Sequence, residues 1–205
     1  MPNWCENVVS ISGDETQVRE LYKFVKGTCV ISSEYKATTN KDGKKTWENV
    51  TLDTPKTVNI PFSFKSVLPY EGEWDYNWCL ENWGVKWDLD TEQRMDDDGD
   101  NIEYCFETAW GPPYGIHQTL KAKFPDLNIS WFYHEPMMEI AGYLEGNSVV
   151  HLRNTEYERL CEIVGSLSIS QFKGTNRQNE YRAVINTIFK TFLEAHDDEQ
   201  EGSKN

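Results

Sequence analysis

Apolar and polar positions alternate, or recur at helical spacing, in short segments along most of the chain. Asn7-Val8-Val9-Ser10-Ile11-Ser12-Gly13 reads as a strand running into a turn. Asp14 then makes a good N-cap, with Gln17 three residues on in a capping-box position. Val18, Leu21, Tyr22 and Val25 recur at helical spacing, and Gly27 predicts the stop. Phe62–Pro69 alternates like a strand, and Trp74–Trp83 reads as a short helix capped by Asp75 and ended by Gly84. A hairpin is expected next. One arm lies around Val85–Leu89, the tip is Asp96-Asp97-Asp98-Gly99-Asp100, and Ile102–Thr108 returns. Pro112 and Pro113 start another helix, where Ile116, Leu120 and Phe124 mark the buried stripe and Pro125 ends it. Leu127–His134 and Met138–Leu144 read as strands, the last ending at Gly146.

The order is β-α-β…β-α-β with added strands. It predicts an α+β fold of ferredoxin-like type, an antiparallel sheet with two helices on one face, over residues 1–146. Residues 33–60 interrupt it as a hairpin insertion around the Asp42-Gly43 turn. Lys36, Lys41, Lys44 and Lys45 there read as solvated charges that protect exposed strand edges. A C-terminal helical extension is expected over 147–193. Thr155-Glu156-Tyr157-Glu158 is a capping box, and Tyr181, Val184, Ile185, Ile188, Phe189 and Phe192 trace an amphipathic stripe. Residues 194–205 are charged, lack apolar anchors and read as a disordered acidic tail.

At 205 residues the chain can bury about 70% of its unfolded surface, so its core needs neither metal nor disulfides. Its 34 acidic and 20 basic residues leave a net charge of −14. Such a field repels phosphate backbones and disfavours direct nucleic-acid binding. Cys5, Cys29, Cys79, Cys105 and Cys161 are scattered, with no C-x-x-C pair, which suits a reducing cytoplasm. The N-terminus shows no secretory pattern, and no apolar stretch approaches membrane-spanning length.

Several dense motifs stand out: Pro2-Asn3-Trp4-Cys5-x-Asn7, Asn82-Trp83-Gly84-Val85-Lys86-Trp87-Asp88, Thr108-Ala109-Trp110-Gly111-Pro112-Pro113, and Tyr133-x-Glu135 followed by Gly142. In these blocks the chain resembles the YubB-like, or Api-like, ferredoxin-like domains of phage and plasmid accessory proteins. The resemblance implies the same fold over about residues 1–146. In that family Thr often follows the Trp-Gly pair and Ser often follows the second block's Trp. Here those positions are Val85 and Gly111, so chemistry depending on a hydroxyl there is not carried over.

Catalytic signatures are missing from the sequence: there is no G-x-S-x-G, no Gly-rich phosphate loop and no H-E-x-x-H. Read as an EF-hand, the acidic run would put Arg94 first and Cys105 last among the ligands, so no metal site is expected. His117, His134, His151 and His196 show no metal-ligand spacing, and Cys5 and Cys105 read as core thiols. No cofactor is expected.

Two candidate sites remain. Asp90, Asp96, Asp97, Asp98 and Asp100 form a negative surface suited to a basic partner. Asn82, Trp83, Lys86, Trp87, Glu107, Trp110 and Glu135 combine stacking surface with hydrogen-bonding groups and could form a pocket. The expected function is non-enzymatic: a phage-type accessory protein that binds and inhibits or redirects a basic bacterial host protein in the cytoplasm, with its acidic surface as a mimic. The alternative is a small-ligand or nucleotide-binding module using the Trp/Asn/Glu pocket. A third reading has the C-terminal amphipathic helix dimerise through residues such as Phe189.

Overall fold

In the computed structural model, residues 3–39, 45–145 and 148–151 are described. The 155–165 and 180–192 helices and the acidic tail expected from the sequence lie outside them.

The first strand, β1 (Trp4–Ser12), leads into α1 (Glu15–Val25), where the Asp14 carboxylate accepts the Gln17 backbone N–H. After an insertion come β4 (Arg94–Asp97), β5 (Asn101–Ala109), α4 (Tyr114–Lys123) and β6 (Asn128–Glu135). Strand order is β4-β5-β1-β6, continued by β7 (Ile140–Glu145) and β8 (Ser148–His151), and every pairing is antiparallel. β5 therefore lies between β1 and β4, which α1 joins, and β1 lies between β5 and β6, which α4 joins. These two interleaved βαβ units define the ferredoxin-like fold.

Strand alternation assigns the faces. Val9 and Ile11 of β1, Ile102, Tyr104 and Phe106 of β5, and Ile129, Trp131 and Tyr133 of β6 share a core with Val18, Leu21, Ile116 and Leu120 of the two crossover helices. Phe62 is its hub, with its ring 5.1–6.2 Å from Phe64, Tyr104, Phe106 and Trp131. The opposite face presents Trp4, Glu6, Val8, Glu107, Phe132 and Tyr143. No helix among the described residues is long and apolar enough to cross a membrane.

The insertion is longer than its pattern suggests. β2 (Gly27–Thr39) starts immediately after α1 and pairs with β3 (Lys45–Ile60) as a separate two-stranded sheet. Gly27 sits where a Cβ would run into the Ser63 side chain, so this residue marks a close crossing as well as a helix stop.

Two elements differ from the sequence pattern. Phe62–Pro69 is not a strand; it carries a four-residue helix, α2 (Phe64–Val67). Phe62, Phe64 and Val67 all turn into the core, Phe62 and Phe64 at strand-like spacing and Val67 a helical turn later, while Ser63 caps the turn by accepting the Ser66 N–H. The Val85–Leu89 arm is also not a strand. Asp88 turns inward there to accept hydrogen bonds from α2, and the ladder to β5 begins only at Arg94. The expected helix near residues 74–83 is α3 (Tyr76–Asn82), capped by Asp75 and followed by Gly84 at φ +86°. β8 was not marked by any pattern of its own.

Candidate functional site

The motif blocks converge at one end of the sheet. Asn7 donates to the Cys5 carbonyl and the Thr108 hydroxyl, and accepts from the Trp131 indole at 3.0 Å. Thr108 in turn donates to the Gly111 carbonyl at 2.7 Å, and the Trp110 N–H donates to the Asn3 carbonyl. Gly115 closes on the Asn82–Trp83 backbone so tightly that a Cβ would strike the Asn82 carbonyl. Much of what makes these blocks distinctive is thus packing and buried hydrogen bonding.

The expected pocket residues separate accordingly. Trp83 is buried, its ring packs on Phe64, Tyr70 and Trp78, and its indole donates to the Leu68 carbonyl, so it belongs to the core. Asn82 donates back to the Trp78 carbonyl at the end of α3. Glu135 is fully buried and its two oxygens accept the Met137 and Met138 N–H groups, which shapes the β6–β7 turn. Trp110 is half exposed and sits at φ 74° beyond the end of β5.

Trp87, Glu107 and Lys86 remain together, and Asp90 joins them. A cleft of about 340 Å³ opens at the sheet edge, between the end of β5 and the segment 87–92 that precedes β4. Trp4 and Trp87 form its aromatic wall, with ring centroids 6.4 Å apart and planes 26° from parallel. Both rings are more than 40% exposed, unlike most large aromatics here. Buried Leu89 and Phe106 supply an apolar base. Asp90, Glu92 and Glu107 add exposed carboxylates. Lys86 places its ammonium 4.3 Å from the Trp87 ring centre and 5.7 Å from that of Tyr76. Sequence reading missed Trp4 as a wall and Glu92 as a rim group, because the cleft joins segments some eighty residues apart.

Glu107 lies directly across from Glu6 on the neighbouring strand. Its pKa is raised, first by loss of water against the cleft walls and then by the negative charges of Glu6, Glu92 and Asp90. Among the described residues, no Lys or Arg forms an ion pair with Asp90, Glu92 or Glu107.

The acidic hairpin tip is ordered from within. Arg19 of α1 grips both oxygens of Asp97 at 2.5–2.6 Å and donates to the Gly99 carbonyl. That guanidinium holds the Asp97 carboxyl down at about 2. Asp97 is therefore committed to an internal pair, whereas Asp96, Asp98 and Asp100 stay exposed on the tip. Asp90, expected beside them, lies in the cleft. Asp88 is a structural acceptor, taking the Ser63 hydroxyl and the Phe64, Lys65 and Leu89 N–H groups.

Burial pushes the Cys5 thiol up to about 12, and the Cys105 thiol donates toward the Glu103 carboxylate at 3.9 Å. Among the described residues no group of three His, Cys, Asp or Glu side chains is placed to hold a metal.

The architecture and the motif contacts define a ferredoxin-like α+β domain. Residues 83–164 match the family model described as a ferredoxin-like domain in Api92-like protein, and over that span the chain is similar to those proteins. No curated protein and no solved structure matches it.

Proposed function

We propose that this protein is a phage-type accessory factor that acts by binding a basic bacterial host protein in the host cytoplasm, inhibiting or redirecting it without chemistry of its own. The observation that carries the reading is the pairing of a −14 net charge with an ordered acidic hairpin tip and an acid-rimmed aromatic cleft. Charge of this density speeds encounter with a basic surface, and exposed indoles supply the contact area that charge alone lacks. The resemblance to proteins of mobile elements supports the phage and host part of the reading.

The small-ligand reading keeps one supporting observation, since a cleft of about 340 Å³ falls in the size range of ligand sites. Its carboxylate rim, however, opposes a nucleotide's phosphates, which leaves only cationic or neutral ligands.

Capture from bacterial lysate at low salt tests the main reading when wild type is compared with a variant carrying Asp96→Asn, Asp98→Asn and Asp100→Asn. The tip changes leave the Arg19–Asp97 anchor intact, so the melting temperature should hold while capture of a basic protein falls at least tenfold. Undiminished capture by the folded variant would remove the acidic tip from the interface and overturn the reading.

A further inference from the structure

We infer that the cleft between Trp4, Trp87 and Glu107 is the seat of a single guanidinium group, supplied by an arginine side chain of the protein partner. The inference rests on the binding function proposed above and names the chemistry of its central contact.

Three independent features of the cleft point to this occupant. The first is charge. Glu6 and Glu107 occupy directly opposed positions on β1 and β5, an arrangement that disfavours like charges, and Asp90 and Glu92 bring two more carboxylates to the same edge. A cation entering there would meet several acceptors and relieve their mutual field. His134 approaches Glu6 at 3.8 Å from β6, whereas Glu107, Glu92 and Asp90 line the cleft itself.

The second feature is the wall. Trp4 and Trp87 are each more than 40% exposed, and Lys86 already rests over the Trp87 ring, so this aromatic surface accepts cations. The third is shape. The base of buried Leu89 and Phe106 suits an aliphatic stem, with the charged head held at the rim. A guanidinium fits better than an ammonium because it is planar, stacks on indole and forks onto carboxylates.

The direct experiment records the Trp side-chain N–H signals of the full-length labelled protein by NMR during titration with a blocked Gly-Arg-Gly peptide. The same peptide with lysine, with neutral citrulline, and agmatine as a free guanidinium serve as comparisons. The expected result is saturable movement of the Trp4 and Trp87 signals, with the arginine peptide at least fivefold tighter than the lysine peptide and no saturation by citrulline. Trp87→Leu and Glu107→Gln, both at exposed positions, should each weaken binding about tenfold while leaving the remaining spectrum folded. Equal binding of the citrulline peptide would overturn the cation assignment. Agmatine binding ten times tighter than the peptide would overturn the assignment to a protein side chain. Movement confined to the 96–100 tip would show diffuse attraction and overturn the cleft as the seat. If cleft variants still capture the partner while tip variants lose it, this inference fails and the binding function stands. If both sets of variants capture undiminished, both fail.

Discussion

At the scale of single residues, several of the most chemical-looking side chains serve structure. His117 is buried on α4, edge-on to Trp131 at 6.0 Å, and burial together with nearby Lys121 pulls its pKa down from 6.5 to about 4. The native state therefore holds a neutral imidazole, while the unfolded chain takes up a proton below about 6.5. The folded pKa is depressed, so this stability is fully present above pH 6.5 and is lost as pH falls toward 4. The full difference is on the order of 3 kcal/mol. Urea unfolding at pH 7.5 and pH 5 should show a drop in midpoint, and His117→Gln should flatten it between these values. An unchanged slope in that variant would assign the drop to other groups. Glu107 behaves in the opposite sense. Its raised pKa means that the fold disfavours the ionised form, and an entering cation would reverse that preference.

At the scale of elements, α2 shows how tertiary contacts override a local pattern. A four-residue helix cannot sustain itself, and this one is assembled by Asp88, which accepts the Phe64 and Lys65 N–H groups and the Ser63 hydroxyl from outside. Asp88→Ala should leave these donors without their acceptor and cost about 2 kcal/mol. Faster hydrogen exchange confined to residues 63–68 would locate the damage; a stability equal to wild type would show that water replaces the carboxylate without loss. The same contacts explain what the sequence could and could not reveal. β1, α1, α4 and β6 were legible because their period, caps and stops agree, as with Asp14 before α1 and the Pro pair before α4. α2 was not legible because Phe62 and Phe64 alternate as a strand's residues would, and the helical spacing from Phe64 to Val67 spans a single turn. The missing 85–89 strand follows from the same Asp88 contact. At the candidate site, Trp87 and Glu107 could be chosen by residue type. Burial removed Trp83 and Glu135, and only the β1–β5 register brought Trp4 and Glu6 alongside.

At the scale of the whole molecule, the charge proposed to attract a basic partner also burdens the fold. The net charge of −14 belongs to the whole chain, and among the described residues the Lys and Arg ion pairs engage two carboxylates, with Arg19 on Asp97 and with Lys36 and Lys56 on Glu34. The remaining negative groups repel one another across distances comparable to the screening length of dilute buffer, roughly 30 Å at 0.01 M and 8 Å at 0.15 M. Compact structure concentrates that repulsion, so screening it should stabilise the folded state. The protein should melt at higher temperature in 300 mM than in 10 mM sodium chloride at pH 7.5, a direction opposite to that of a fold dependent on surface ion pairs. Close to its pI of about 4.7 the net charge vanishes and the salt effect should shrink with it. Partner capture should respond the other way, weakening over the same salt range because the attraction between opposite charges is screened as well. Salt-induced destabilisation at pH 7.5 would show that local ion pairs outweigh the net field. Capture that strengthened with salt would mean that indole surface, rather than charge, dominates the interface.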